Sequence, residues 1–390
     1  MKTTRAIFGV LKITLGLTGR ICTSSLVPLL SLLTLAGLGL LITGAEQTKA
    51  ASIYWTDEVD SRPILGNIWR ANVDGSGKVR LAYGQNNCFG IALNVSNGRM
   101  YWTDEDGGDI RSANLDGTGQ RVLCAGLNQP VGIALDVARG KMYWTEVGDI
   151  RSANLDGTGK TTLLSGLGRP LGVALDLSDG KMYWVDFNLN DIERANLDGS
   201  GHQLVIATQV LPEEVALDLA QGKIYWTTVG SISSDIGTIS RVNLDGSGQQ
   251  LLLQGLSRPV GIALDIAGGK MYWADSHYDI QGQGDISVAN LDGTGRQTIL
   301  TGLNVPDRIA LQLQALPPRL TLVSYGTNVT LSWPTNYAGF DYSGYILQST
   351  TNLGSSAVWD TNSPAPVVVN GQNTVTNPIT GTQQFYRLSQ

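Results

Sequence analysis

Five acidic residues occupy the same position in successive copies of a repeated segment, and they are the groups best suited to chemistry in this sequence. Each stands two residues after a Tyr-Trp pair. Carboxylates gathered in a ring could bind a metal ion, because hard cations prefer oxygen ligands. A sixth copy has Thr228 at this position, which breaks the set, so the favoured interpretation is bonding to backbone groups at blade corners. The acids are Asp57, Asp104, Glu146, Asp186 and Asp275.

The histidines and the common nucleophile patterns add little chemistry. His202 directly follows a tight turn and is expected to be solvated, whereas His277 lies in a long connector and is the better functional candidate. No Ser-His-Asp set, nucleophile elbow or phosphate-binding glycine loop is present. The repeated Asp-Gly turns are too short to surround a calcium ion with oxygen ligands. We therefore predict no catalytic residue, no metal ligand and no cofactor.

Two cysteines follow the N-terminal region, and the sequence leaves their pairing open. Cys88 falls in the connector that enters a repeat, and Cys124 falls in the last strand of that repeat. These positions are several strands apart, so a disulfide between them would need unusual geometry. Metal binding would need more ligands at regular spacing.

The Tyr-Trp pairs define the repeat that must position these groups. Successive tryptophans are 47, 42, 40, 42 and 47 residues apart, and four short β segments fit in each interval. A period of about 40 to 45 residues with four strands per repeat is typical of a propeller blade. The pairs are Tyr54-Trp55, Tyr101-Trp102, Tyr143-Trp144, Tyr183-Trp184, Tyr225-Trp226 and Tyr272-Trp273.

One repeat, 142–181, illustrates the pattern. Met142 to Thr145 is an apolar and aromatic strand, and Asp156-Gly157 forms a hairpin turn because glycine adopts the positive φ that such turns need. Leu171 to Leu177 is nearly continuously apolar and is therefore predicted to be buried on both faces. The repeats begin with a Tyr-Trp strand and end with the apolar strand Arg308 to Leu311. These two strands are predicted to pair, which closes a ring and removes an open sheet edge.

The MYWTD-type strand, the NLDG(S/T)G turn and the GIALD strand resemble the YWTD repeat, or class B repeat, of the low-density-lipoprotein-receptor family. The resemblance covers about residues 52–313 and implies a six-bladed β-propeller. The fourth and sixth copies depart from it, because they lack the glycine that usually precedes the buried strand. The Cys-rich EGF-like module that usually accompanies the animal receptors is missing, so the resemblance concerns the fold rather than receptor biology.

The composition changes after the repeats. Residues 314–318 form a proline-containing linker, and residues 319–390 are rich in Thr, Ser and Asn and nearly uncharged. Segments such as Val329 to Trp333 and Tyr345 to Gln348 alternate like half-buried strands, which predicts a small β-sandwich. Their order resembles fibronectin-type-III-like tails of secreted bacterial proteins. The whole chain is therefore predicted to be all-β.

Residues 1–45 have the pattern of a secretory signal peptide. Basic residues precede the apolar run Leu26 to Ile42, which is also nearly long enough to span a membrane, so a retained anchor is the alternative. Without the four basic residues of this segment, 23 basic residues face 33 acidic ones, a net charge of −10. Such an acidic protein is not expected to bind nucleic acid. We expect a secreted, extracellular or cell-envelope location.

The connectors after the Tyr-Trp strands differ in length and predict where a partner binds. Those of copies five, six and one, 229–238, 276–285 and 58–67, have ten residues each, whereas the other three are short. In a closed ring these copies are neighbours, and variable loops on a rigid frame usually carry function. Sequence drift in unimportant loops is the alternative. The candidate partner-binding residues in and beside this sector are Arg62, Ile64, Leu65, Trp69, Ile232, Asp235, His277, Tyr278 and Gln281.

The favoured function is a non-enzymatic binding module that presents this sector to an extracellular protein or glycan, and we expect a monomer. Mixed aromatic, apolar and charged residues suit either kind of partner. The alternative from another class is a metal-dependent hydrolase or lyase with its site at the pore of the propeller. A purely structural repeat protein is the third hypothesis.

Overall fold

The computed structural model divides the chain into two compact units, residues 47–314 and residues 1–46 together with 315–390. Within the described residues no α-helix occurs, and the short 3₁₀ helix is Val95–Asn97. No helix of this part of the chain is long and apolar enough to cross a membrane. The structure describes residues 11–14, 50–59, 65–208, 210–230, 237–277, 282–313, 320–325, 328–337, 340–341, 345–351, 358–361, 364–369, 371–378 and 383–389.

The unit 47–314 contains six sheets of four antiparallel strands each, and every sheet is one blade. The innermost strands, from blade 1 to blade 6, are Pro306–Leu313, Cys88–Asn94, Ile133–Asp136, Pro170–Asp176, Pro212–Asp218 and Pro259–Asp265. The second strands, which carry the Tyr-Trp pairs, are Ala50–Val59, Arg99–Asp104, Lys141–Glu146, Lys181–Asp186, Lys223–Thr228 and Lys270–Asp275. The third strands are Leu65–Asn72, Asp109–Asn114, Asp149–Asn154, Asp191–Asn196, Gly237–Asn243 and Gly284–Asn290. The outermost strands are Val79–Gln85, Arg121–Cys124, Thr161–Ser165, Gln203–Ala207, Gln250–Leu256 and Gln297–Leu303.

The six blades form a closed ring. Each innermost strand contacts the innermost strands of both neighbouring blades, and the innermost strand of blade 1 contacts those of blades 6 and 2. Blade 1 is built from both ends of the repeat region, because Tyr54 pairs with Ala310 and Trp55 pairs with Ile309. The predicted closure and the predicted six-bladed β-propeller are therefore confirmed.

The Tyr-Trp pairs join each blade to the next. Tyr143 of blade 3 lies in the same core cluster as Trp184 of blade 4. Tyr272 of blade 6 shares a cluster with Trp55 of blade 1, so the pattern continues across the closure. The other four junctions repeat this arrangement, and all six tryptophans are buried. The pairs therefore pack blade against blade, as predicted.

The Asp-Gly turns, which join the third strand of each blade to its outermost strand, are held by their own side chains. Asp74 Oδ1 accepts hydrogen bonds from the N–H and the Oγ of Ser76, at 2.9 and 2.6 Å. Gly75 has a φ of 83°, in the left-handed region that favours glycine. The equivalent hydroxyl and N–H bonds hold the other five turns and lower the pKa of each turn carboxyl. The carboxylates of these turns are thus used within the turn.

The second unit is a small β-sandwich. One sheet contains, in order, Thr321–Tyr325, Asn328–Pro334, Gln372–Pro378 and Val367–Val369. The other contains Leu11–Thr14, Gln383–Ser389 and Ile346–Thr350. One apolar core, which includes Trp333 and Leu347, draws side chains from both sheets. The remaining strands, Asn336–Tyr337 and Phe340–Asp341, pair with each other.

The predicted signal peptide, residues 1–45, lies outside the described residues apart from Leu11–Thr14. This segment pairs with the C-terminal strand, and Leu11 lies opposite Tyr386. The predicted linker 314–318 also lies outside the described part of the chain.

Candidate binding site at the channel mouth

The second strand of each blade ends where its innermost strand begins, and these points lie at one end of the ring, here called the loop face. The pairing of Pro170 with Asp186 and of Pro259 with Asp275 shows this register. Asp186 accepts hydrogen bonds at 2.8 and 2.9 Å from two backbone N–H groups of the connector that enters blade 4. Asp275 accepts two equivalent bonds in blade 6. These corner acids therefore bond to backbone, as expected from the sequence.

In blades 2 and 3, an arginine of the third strand forms an ion pair with the acid that follows the Tyr-Trp pair. Arg111 of the third strand lies 3.5 Å from Asp104 and 3.0 Å from Asp109. Arg151 makes the same two kinds of ion pair in blade 3, including a 2.7 Å contact with Glu146. In the described part of the chain, no group of three or more His, Cys, Asp or Glu is arranged to hold a metal ion.

His277 takes the place of that arginine in blade 6, where the third strand carries Ser287 instead. The imidazole Nε2 of His277 lies 2.8 Å from Asp285 and 3.9 Å from Asp275. Its backbone has a φ of 49°, and its N–H donates to Asp275 at 3.3 Å. The side chain remains 29% exposed. His277, a candidate partner-binding residue, thus also holds the corner of its own blade together.

Blade 4 replaces the arginine by Glu193, which adds a third acid to the corner. His202 Nε2 lies 3.0 Å from Glu193, and its ring is 5.2 Å from that of Trp184. His202 is exposed, as predicted, and it also forms a contact with its own blade. Burial raises the pKa of Asp191 to about 6, and the neighbouring Glu193 and Asp186 add to the shift.

Trp69 lies in the third strand of blade 1 rather than in a loop. Its ring stacks on Trp55 at 6.2 Å between centroids, and its indole N–H donates to Asp57 at 2.7 Å. Trp69, His277 and Leu65 are the predicted site residues that the structure describes, and Leu65 pairs with Val59. The candidates Arg62, Ile64, Ile232, Asp235, Tyr278 and Gln281 lie outside the described residues.

A cavity of about 80 Å³ opens on the loop face, where the innermost strands of neighbouring blades begin. Blades 5, 6 and 1 supply seven of the eight residues around it, and Phe89 of blade 2 supplies the eighth. These are the three blades whose long connectors predicted the partner-binding sector. The lining residues are Glu58, Phe89, Glu213, Arg258, Val260, Ser276, Val305 and Asp307.

A buried charge cluster, which the sequence did not predict, lies beside this cavity. Arg308 of blade 1 lies 2.8 Å through Nε from Glu214 Oε2 of blade 5, and its side chain is 2% exposed. Its Nη1 lies 2.9 Å from Asp307 Oδ1, and its Nη2 lies 3.4 Å from Glu213 Oε2. The guanidinium also lies over the ring of Phe89, at 6.0 Å from the centroid. One guanidinium therefore faces three carboxylates at the mouth of the channel.

The surroundings raise the pKa of two carboxyls in this region. Burial raises the pKa of Glu214 to about 7, although Arg308 opposes the change. Burial also raises the pKa of Glu105 to about 7, against the opposing charge of Arg169 at 3.9 Å. Burial by itself would lower the pKa of Arg308, but its three acidic neighbours outweigh this and raise it. The channel mouth thus combines a permanent cation with carboxyls that take up protons near neutral pH.

A departure from the glycine pattern is the sequence signal for this cluster. Four blades place glycine where Glu214 and Arg308 stand, because the innermost strands approach too closely for a side chain. A Cβ on Gly132 would lie 2.3 Å from the carbonyl oxygen of Leu171. The side chain of Glu214 instead fills space against Gly172, where a Cβ would meet its Oε1. The glycines concerned are Gly90, Gly132, Gly172 and Gly261.

The two cysteines are free and buried in different places. Cys88 belongs to the core cluster that contains Trp102, and Cys124 belongs to the cluster that contains Trp144. Burial raises the pKa of both thiols. The pairing that the sequence left open is therefore absent between these two residues.

Solved structures share this fold. A chain of the crystal structure of a nidogen/laminin complex matches with a TM-score of 0.56 and 20% identity, over 67% of this chain and 98% of that chain. TolB from Acinetobacter baumannii matches with a TM-score of 0.54 and 12% identity, over 67% of this chain and 66% of that chain. A putative TolB from Agrobacterium tumefaciens matches with a TM-score of 0.51 and 11% identity, over 70% of this chain and all of that chain.

No protein-family model and no curated protein matches the chain. At identities of 20% and below, the structural likeness concerns the fold alone. The class that it defines is the β-propeller. This chain is a six-bladed member of that class, with a Tyr-Trp pair in every blade.

Proposed function

We propose that the protein is a secreted or cell-envelope, non-enzymatic binding module of the YWTD-repeat type. In this proposal the loop face over blades 5, 6 and 1 binds a protein or glycan partner, and the chain acts as a monomer. Residues 1–45 serve as the export signal, and the sandwich of residues 319–390 is a fibronectin-type-III-like accessory domain.

The position of the cavity is the observation that carries this proposal. Glu213 comes from blade 5, Arg258 and Ser276 come from blade 6, and Val305 and Asp307 come from blade 1. Two independent features, long connectors and a concave mixed surface, therefore coincide in one sector.

The structural neighbours support a protein partner over a glycan. One of them is a chain from a complex of two different proteins, nidogen and laminin.

A pair of matched arginines tests the site. Arg258 precedes the innermost strand of blade 6 and lines the cavity, and Arg169 holds the same position in blade 4 outside the sector. We expect Arg258→Glu to abolish cross-linked capture of the native envelope partner, whereas Arg169→Glu retains it. Equal capture by both variants would place the site elsewhere. A glycan array with the same two variants distinguishes a sugar ligand from a protein.

The metal-dependent hydrolase or lyase has weaker support. Its metal would need the carboxylates of Glu213, Glu214 and Asp307, and the guanidinium of Arg308 already lies among them at 2.8 to 3.4 Å. A calcium-induced rise in melting temperature that a chelator reverses would nevertheless favour this alternative.

A further inference from the structure

The outermost strand of blade 1, Val79–Gln85, presents an exposed basic and aromatic surface on the side of the propeller. Arg80 and the adjoining Lys78 are exposed, and the side chain of Tyr83 is 73% exposed. When the six outermost strands are compared, an aromatic residue is found in Val79–Gln85, where it is Tyr83, and not in the other five. We call Trp69, Lys78, Arg80 and Tyr83 the blade 1 edge patch.

The patch is an alternating column of rings and cations. Trp69 stacks on the buried Trp55, and the ammonium of Lys78 lies 4.6 Å from the centre of the Trp69 ring. The guanidinium of Arg80 lies 5.7 Å from Trp69 and 5.3 Å from Tyr83. Both cations are exposed, and a cation–π contact leaves N–H groups of each available for hydrogen bonds with a partner.

These cations differ from the arginines of the blade corners. Arg111 and Arg151 each contact two carboxylates, whereas neither Lys78 nor Arg80 has a carboxylate within 4.0 Å among the residues that the structure describes. Asp57, on the same side of the blade, already accepts hydrogen bonds from Trp69 and a neighbouring amide. Lys78 and Arg80 are therefore exposed cations without an ion pair among the described residues, although the charge of Lys78 acts on Asp57, in a chain of net charge −6.

The outermost strand of blade 1, which carries the patch, also has one edge that is not paired with another described strand. Its residues pair with the third strand of blade 1, through Trp69 with Arg80 and Arg70 with Val79. On its other side no strand of the described residues pairs with it. Alternate residues of an edge strand direct their backbone N–H and C=O groups away from the paired neighbour, and these groups are a template for an added strand.

We propose that the blade 1 edge patch binds an extended acidic peptide segment of a partner protein, which adds to blade 1 as a fifth strand. Carboxylates on alternate residues of the peptide pair with Arg80 and Lys78, and an apolar side chain packs on Tyr83. A peptide fits better than an acidic polysaccharide, because the edge offers backbone hydrogen bonds that a sugar chain cannot match in register. Trp, Tyr and Arg are also the residues that most often dominate the binding energy of protein interfaces.

The test uses the full chain and a fluorescein-labelled peptide of alternating Glu and Thr, with fluorescence polarisation as the measurement. We expect Arg80→Glu and Tyr83→Ser each to weaken binding by about tenfold or more. Thr162→Glu and Ser165→Ala change the corresponding positions of blade 3 and are expected to leave affinity within about twofold. Near-ultraviolet circular dichroism of each variant confirms that the propeller is intact.

Two further arms separate this site from the alternatives. Methylation of alternate backbone nitrogens in the peptide should abolish binding, because it removes the strand pairing. Arg258→Glu at the channel mouth should leave peptide binding unchanged, so this result is independent of the proposed function. Undetectable binding, equal binding by Arg80→Glu, or binding that survives N-methylation and is competed by polygalacturonate would overturn the proposal.

Discussion

Arg308 Nε lies 2.8 Å from Glu214 Oε2, although the two residues come from the innermost strands of blades 1 and 5, with blade 6 between them. The contact therefore spans part of the channel rather than a strand pair. Each residue replaces a glycine of the repeat. The charge of each is compensated by the charge of the other. Their charges are buried, so the balance between them should control the stability of the ring.

Removal of one partner of this pair should be costly. We expect Arg308→Met to lower the free energy of unfolding by about 3–5 kcal/mol, because three carboxylates lose their shared cation. The double variant Arg308→Met, Glu214→Gln should lose less than the sum of the two single variants. Urea denaturation followed by tryptophan fluorescence measures the three differences, and strict additivity would contradict a coupled pair.

The stability of the propeller should fall as the pH rises from about 5 to 8. Glu105 and Glu214 have a pKa of about 7 in the folded protein, against an ordinary value of 4.5. Between these values the folded state binds more protons than the unfolded chain, so each proton lost reduces the free energy of unfolding. Asp57 and Asp191, each with a pKa raised to about 6, act in the same direction.

Calorimetry at pH 6 and pH 8 should therefore show a melting temperature several degrees higher at pH 6, at about 2–4 °C per kcal/mol. Glu105→Gln should flatten this dependence, since the amide cannot take up the proton. A melting temperature that rises from pH 6 to pH 8 would show that other groups dominate.

The tryptophans of the Tyr-Trp pairs should contribute far more to stability than the exposed aromatic of blade 1. Trp226→Ala is expected to cost about 3–5 kcal/mol, because the side chain is 1% exposed and joins blades 4 and 5. Tyr83→Ala should change the free energy of unfolding by no more than about 0.5 kcal/mol. Comparable losses in the two variants would mean that the blade interfaces are not the main source of stability.

Blade 4 offers a stabilising substitution. Glu193→Arg restores the residue type found at 111 and 151, and it places a cation between Asp186 and Asp191. We expect a gain of about 0.5–2 kcal/mol and a fall in the pKa of Asp191. Glu193→Gln is the matched control, because it removes the third acid without adding a cation. A loss of stability in the arginine variant would show that the indole bond of Trp184 to Glu193 matters more.

The blades of this protein can be predicted from its sequence, because the same local sequence patterns recur in all six repeats. The Tyr-Trp strand, the Asp-Gly turn and the apolar strand each have a local cause, in burial or in positive φ. Closure of the ring was predictable as well, because the repeat region begins with the second strand of a blade and ends with an innermost strand. Repetition thus made even the pairing of Tyr54 with Ala310 predictable.

The contacts at the channel mouth could not be predicted from the sequence, because they join residues that are far apart in the chain. Arg308 and Glu213 are 95 positions apart, and nothing local indicates that they meet. Missing glycines were visible, but their meaning depends on how closely the innermost strands approach. For His277 the sequence indicated a functional loop, whereas its bond to Asp285 depends on the blade corner. The site residues Arg62, Ile232, Asp235, Tyr278 and Gln281 stay predictions.

The pairing of Ala50 with Leu313 brings the two ends of the propeller unit side by side. A ring closed in this way has no structurally required starting point. Joining those ends and opening the chain at another blade, for example within the turn at Asp156-Gly157, should give the same propeller with a different blade as the composite one. In the natural order, blade 1 is the last to be completed, so the first Tyr-Trp strand must wait for the end of the repeat region before its sheet is whole.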